Sequence, residues 1–352
     1  MVRCIGNPND ETEPSIAILC VRPHGRRPFV TLEYPVLIKH TRGSDQLLLL
    51  IAALVLLARP TPATAPRSLA ERLGFSSTDI VLIVNGDDVG VSHAANMATI
   101  ASLERGLMTS ATIMVPCPWF PEIAQYARDH PAADFGLHLV HTAEWRGMKW
   151  GPVAGRTAVP GLVDPQGYLW PDLQQLYAHA TPDQAEVEAR AQIRKALDAG
   201  IDVTHLDSHM GALQYSDAYF QAYRRLAKEF DLPIRMGSQS MLAAAGGGHQ
   251  RAELDGDGIV YPDFLIHGGR QKGEAIDVYW RRMLEGLQPG VTELYIHAAM
   301  PGEEMQALTN SWKDRAAEYE MFTNDASIRT LLDGRGVKRV GFRALRDVQR
   351  KK

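Results

Sequence analysis

The sequence predicts an α/β domain of the (β/α) barrel type, either closed or imperfect, and three observations carry that expectation. Short apolar, β-branched runs recur about eight times between Ile80 and Phe342. Stretches of helical character separate them, the alternation that gives a parallel sheet covered by helices. Polar residues able to do chemistry gather at the C-terminal ends of several runs, where barrels place their sites. A doubly wound open sheet is the alternative arrangement of the same elements.

In chain order the expected strands are Ile80–Asn85, Ala111–Val115, Phe135–Val140, Val203–Asp207, Ile234–Met236, Ile259–Tyr261, Glu293–His297 and Arg339–Phe342. The expected helices are Ala94–Arg105, Pro121–Asp129, Pro182–Ala199, Asp217–Phe230, Asp277–Leu287 and Ala326–Leu332. Thr181 reads as the N-cap of Pro182–Ala199, whose proline occupies the position where an N–H is not needed, and Gly200 stops the helix. Gly147–Tyr168, rich in Gly and Pro, and Ala243–Gly258, with its Ala-Ala-Ala-Gly-Gly-Gly run, are expected as loops over the rim.

These elements lie in residues 67–352, expected to be one catalytic domain. Residues 1–66 do not read as a domain. Leu47–Ala58 is an unbroken apolar run of 12 residues. A bilayer span needs about 20, whereas a signal-peptide core needs roughly 7–15. Lys39, His40 and Arg42 precede the run, and Ala63-Thr64-Ala65 follows as a small-residue cleavage site. The expectation is therefore export, periplasmic or secreted, with no stable membrane span in the mature chain. An uncleaved segment 47–58 acting as a membrane tether is the alternative. The polar residues 1–35, bearing five prolines, sit upstream of any signal start and read as a mis-extended N-terminus.

Composition narrows the function classes. At 45% hydrophobic and 22% charged the chain is an ordinary globular protein. Its net charge of -4 and the lack of a basic stripe exclude a nucleic-acid partner. The three cysteines, Cys4, Cys20 and Cys117, have no Cys-x-x-Cys spacing. Nothing in the sequence specifies an oligomeric state.

Four motifs carry the chemistry. Asp87 and Asp88 end the first apolar run, where two adjacent carboxylates repel unless a cation lies between them. His138 interrupts the run Gly136–Val140, and His141 follows three residues later, on the opposite face of a continuing strand. His205, Asp207 and His209 alternate along Val203–His209, so they share one face. Three such groups are costly to bury without a task, and a metal ligand oriented by a carboxylate behind it is a common one. Glu293 and His297 repeat the pattern on a late strand, where His297 can serve as a general acid. An aspartate and two histidines from separate strands form a three-ligand set that leaves room for water.

Together, Asn85-Gly86-Asp87-Asp88-x-Gly90, Gly136-x-His138-Leu139, Thr204-His205-x-Asp207-Ser208-His209 and Glu293-x-x-x-His297 resemble the YdjC-like carbohydrate deacetylases, a family that includes chitooligosaccharide and hopanoid-associated deacetylases. The resemblance spans roughly Ile80–Val348. It implies a (β/α)-barrel-like fold with one divalent metal held by Asp88, His138 and His209. Zinc is favoured for that donor set, with magnesium, cobalt, nickel and manganese as alternatives. It further implies Asp87 as general base and His297 as general acid in hydrolysis of an N-acetyl group on an amino sugar. His205, Asp207 and Glu293 are placed behind them, Asp207 orienting a ligand histidine. The run Met210-Gly211-Ala212 after His209 lacks the further histidines common in the family, and Ala298 replaces the usual proline after the late histidine. Substrate contacts near the metal are therefore expected to differ. Two alternatives are a hydrolase of another amide or ester on the same site and a carbohydrate-binding relative without turnover. Trp119, Trp145, Trp150 and Trp170 are expected either to stack on sugar faces or to fill the core.

Overall fold

Strand β1, Ile80–Val89, lies at the middle of the sheet, and its residues Val81–Val84 are fully buried. Such a continuous apolar run suits a strand covered on both faces. A computed structural model describes residues 67–351. The signal-peptide and start-site expectations for residues 1–66 lie outside the described residues. Around β1 stand β2 (Ser110–Ile113), β3 (Phe135–Leu139), β4 (Val203–Ser208), β5 (Phe264–Ile266), β6 (Gly290–Ile296) and β7 (Lys338–Arg339). The order is β4-β3-β2-β1-β6-β5, with β7 alongside the first half of β1, and every pairing is parallel. All C-terminal strand ends thus point one way.

This is a half-barrel wrapped by helices: β4 and β5 are its two edges and do not pair. The expected strands Ile234–Met236 and Ile259–Tyr261 fall in that gap. Neither forms a strand; Ile234 makes a single bridge to Leu206 of β4, and its N–H reaches the Val260 carbonyl at 3.1 Å. Pro233 and Pro262 flank the two segments and remove donors a ladder needs. Three further corrections follow. The expected loop Ala243–Gly258 contains the helix Gln250–Asp257. The expected strand Arg339–Phe342 shrinks to Lys338–Arg339, and Phe342 opens the helix Phe342–Arg350. Strand β5 and the helix Trp312–Thr323 were not expected.

The six expected helices form within two residues of their expected ends. In Pro182–Asp198 the Thr181 side chain accepts the Gln184 N–H, supplying the cap that the first turn lacks. Ala185, Ala189, Ile193 and Ala196 make one buried face against the sheet. Burying a side chain the size of Ile193 stabilises by roughly 1.5–3 kcal/mol. A second apolar cluster includes Trp145, Trp150, Leu162 and Leu169, so the loop over the rim is itself packed. Trp145 and Trp150 are therefore core residues, while Trp119 is exposed and Trp170 is half-buried, stacked on His179 at 4.2 Å. Among the described residues no helix is long and apolar enough to cross a membrane.

Candidate active site and metal centre

Adjacent residues on a regular strand face opposite ways, yet Asp87 and Asp88 are both buried in the interior at the end of β1. A bulge explains this. The β1–β2 register shifts between Gly86 and Val89, and Asp88 adopts a left-handed φ of 62°. Bulges re-aim side chains in this way, and the left-handed backbone of a non-glycine residue costs about 1–3 kcal/mol.

Asp88 Oδ1 lies 3.4 Å from His138 Nε2 and 3.5 Å from His209 Nδ1, and those two nitrogens are 3.1 Å apart. All three side chains are buried, and Asp88 Oδ1 has no hydrogen-bond partner. Ligand atoms held at about 2.1 Å in a tetrahedral arrangement sit roughly 3.4 Å from one another. The trio therefore fits a divalent ion, and its two nitrogens and one oxygen suit zinc or a neighbouring transition metal.

Each member of the trio is tethered from behind. His138 Nδ1 meets Asp207 Oδ1 at 2.5 Å, a contact set by the β3–β4 register that pairs His138 with Asp207. His209 Nε2 meets Glu144 Oε2 at 2.9 Å. Asp88 Oδ2 accepts from Arg315 Nη2 at 2.7 Å, and that guanidinium lies 5.0 Å over the Trp145 ring. Burial opposes the charge on Asp88, but Arg315, His209 and His297 hold its carboxyl well below the usual range. Burial opposes a charged His209 too, yet Glu144 and Asp88 raise its pKa to about 10.

Asp87 is clamped by a second guanidinium. Arg235 Nη1 and Nη2 donate to its two oxygens at 2.7 Å each. Arg235 also contacts Asp207 Oδ2 at 3.0 Å and Glu293 Oε1 at 2.7 Å, and it lies 4.4 Å over the Tyr295 ring. Asp87 Oδ1 takes a further bond from Asn85 at 2.9 Å, while the Thr112 hydroxyl, 3.4 Å from it, has the shorter bond at 2.9 Å to Asp207 Oδ2. Despite burial, Arg235 and His138 hold the Asp87 carboxyl far below its usual range. Burial lifts Glu293 to about 7, only partly offset by Arg235. Asp87, His138 and Asp207 also cluster closely enough for a cation, but the Arg235 guanidinium already fills that role.

His297 follows β6, half-buried, with its backbone N–H on Glu318 Oε2 at 2.7 Å. Its imidazole is near enough to lower both Asp87 and Asp88. His205, placed by the resemblance behind the site residues, has its Nδ1 3.0 Å from Thr204 Oγ1. Its ring stacks on Phe342 at 3.7 Å, beneath the site and against Gly136, where any side chain would collide with it. His141 stays apart from the trio, with Nε2 on the Ala185 carbonyl at 3.0 Å, and burial drives its pKa down to about 4. Arg235, Arg315, Glu144 and Thr112 were missed. A charged residue between Ile234 and Met236 was a legible signal for Arg235, whereas Arg315 sits on an unexpected helix and gave none.

Fold and site define an α/β half-barrel carrying a buried Asp-His-His donor set at the C-terminal ends of its strands. The sequence profile of YdjC-like proteins matches residues 81–333, and the chain belongs to that family. A carbohydrate deacetylase of Thermus thermophilus is 32% identical over 268 residues, 75% of this chain and 94% of that protein. One of Brevibacillus brevis is 28% identical, over 75% of this chain and 99% of its own length. A crystal structure of a putative cellobiose-phosphate cleavage protein from Enterococcus faecalis superposes with a TM-score of 0.65 at 24% identity. It covers 76% of this chain and 99% of that one, and it shows the shared fold.

Proposed function

We propose that this chain is a metal-dependent carbohydrate deacetylase that hydrolyses an N-acetyl group on an amino sugar. The observation that carries the reading is the trio of Asp88 Oδ1, His138 Nε2 and His209 Nδ1, 3.1–3.5 Å apart and buried beside a separately clamped carboxylate. The family and the names of its relatives supply the reaction class. A divalent ion, zinc first among the candidates, would polarise the acyl carbonyl and acidify water there.

The protein's own residues divide the remaining work. Asp87 Oδ1 takes bonds from both Arg235 and Asn85, whereas Oδ2 takes only Arg235 among the described residues. Oδ2 is therefore the atom that accepts the proton of the attacking water. Arg235 keeps Asp87 ionised at any working pH and fixes its orientation, so the base is ready but weak. His297, across the site at the end of β6, donates to the departing nitrogen. Asp207 and Glu144 fix the rings of His138 and His209, as partners behind metal-binding histidines generally do.

The test is acetate release from a panel of N-acetylated glycans by metal-replete protein, with Asp87→Asn and His209→Ala alongside. Acetate release by the parent and its loss in both variants is expected. No release from any amide or ester, with all three proteins alike, sinks the reading. We infer also that the enzyme works outside the cytoplasm, supported by the apolar run 47–58 and the basic residues before it. N-terminal sequencing of the exported protein should find a start beyond Ala58, and an intact Met1 or Val2 would refute export by cleavage.

A further inference from the structure

The edge strands β4 and β5 do not pair, but the segments leaving their C-terminal ends meet through side chains. Tyr215, in the turn after β4, brings its hydroxyl 3.4 Å from His267 Nε2, just beyond β5. His267 Nδ1 is hydrogen-bonded with the Tyr295 hydroxyl. Tyr295 in turn lies beneath the Arg235 guanidinium and edge-on to His297, with ring centroids 5.6 Å apart. A line of rings thus connects the rim at Tyr215 with the groups around Asp87.

The backbone is bent to hold Tyr215 there. Directly after the candidate ligand His209, Met210 has φ 54° and Gly211 φ 69°, both left-handed. A Cβ at Gly211 would collide with the Tyr215 ring, so the ring's position requires glycine. Met210 bears the same conformation without glycine's freedom, which is strain kept at this spot. Both side chains nonetheless face solvent, Tyr215 at 56% exposed and Met210 at 41%. Met210 Sδ accepts from Thr142 Oγ1 at 3.3 Å and Tyr215 reaches His267, yet each keeps much of its apolar surface open to water beside a buried donor set. Such surface suits a ligand. A flat ring with a polar tip suits the apolar face and hydroxyl edge of a pyranose.

We propose that Tyr215, flanked by Met210, is the platform on which the glycan stacks the sugar next to the one bearing the scissile amide. Tyr215 is then a specificity-determining residue that reads chain length. The inference rests on the deacetylase reading above. The test compares the parent with Tyr215→Ala and Tyr215→Phe on N-acetylglucosamine and its β-1,4-linked dimer and trimer. Acetate-release kinetics are measured together with binding by saturation-transfer NMR, and urea unfolding checks that each variant is folded. Tyr215→Ala should raise KM for dimer and trimer about tenfold, the scale of a lost aromatic contact. Its kcat and its KM for the monosaccharide should hold, its binding of the longer sugars should weaken, and Tyr215→Phe should behave as the parent. Turnover with KM and binding unmoved in Tyr215→Ala, or a change confined to kcat, overturns the platform and leaves the deacetylase reading standing. Binding that depends on Tyr215 without any acetate release supports the platform and removes the reaction. Neither binding nor release overturns both.

Discussion

Replacing Arg235 with methionine, a side chain of similar length without charge, leaves three buried carboxylates without their shared cation. Arg235 donates to Asp87 at 2.7 Å twice and to Glu293 at 2.7 Å, it lies 3.0 Å from Asp207 Oδ2, and all four residues are buried. Breaking a buried ion pair from one side costs about 3–5 kcal/mol. Glu293, already lifted to about 7, takes up a proton near neutrality and limits its share. Asp87 and Asp207 lose the guanidinium that faces them, so the loss falls in that range. At roughly 2 °C per kcal/mol for a domain of this size, Tm drops by about 6–10 °C. The chemistry reports separately. Arg235 holds the Asp87 carboxyl down, so without it that pKa rises and the acid limb of kcat/KM moves to higher pH. Urea unfolding followed by tryptophan fluorescence measures the first effect, and the pH dependence of acetate release the second. A midpoint within about 0.5 kcal/mol of the parent, with the acid limb unmoved, would show that the carboxylates need no guanidinium.

The other expectations are more local. Asp88→Ala, His138→Ala and His209→Ala should each lower bound divalent metal after dialysis, and His141→Ala should not. Equal loss in His141→Ala would move the site. Metal uptake near pH 7 should release protons, because His209 titrates at about 10 without an ion; calorimetry in buffers of different ionisation enthalpy reads this directly. Gly136→Ala forces a Cβ into the His205 ring, which Phe342 pins from the other side, and should destabilise by about 1–3 kcal/mol in urea. Asp134 has its pKa raised by burial to about 6 from 3.8, although Thr204 and the Arg343 N–H partly offset it. A raised carboxylate favours the fold fully below its unfolded pKa, and that contribution is lost as pH climbs through about 6. At about 1.4 kcal/mol per unit, parent stability relative to Asp134→Asn should fall by up to roughly 3 kcal/mol between pH 4 and 8. A flat difference would refute the burial argument.

The sequence was most legible where burial and chemistry conflict on one strand. His205, Asp207 and His209 stand out because three polar groups on an apolar strand need partners. Asp207 and His209 both lie against His138, while His205 stacks on Phe342 in a slot left by Gly136. Strands β1, β3 and β6 are readable because parallel strands buried on both faces are largely apolar. The open edge was not readable, since pairing between distant strands leaves no periodic mark and the prolines that forbid a ladder lie just outside each run. Arg315 lies 227 residues from the carboxylate it holds. No local pattern encodes such a contact, and the helix Trp312–Thr323 has too weak an amphipathic stripe to be foreseen. The bulge at Asp88 was equally silent, because aspartate is common where chains turn and nothing nearby announces a left-handed residue.

That bulge bears on how the chain would drift if turnover ceased to matter. Asp88 combines an unfavourable backbone angle, a buried charge and a neighbour of like sign, and glycine or asparagine at that position would relieve at least two of these burdens. Its loss would in turn strand the buried Arg315 guanidinium, from which it accepts at 2.7 Å. Backbone angle and ion pair thus pull this position in opposite directions, the first towards an easier residue and the second towards a carboxylate.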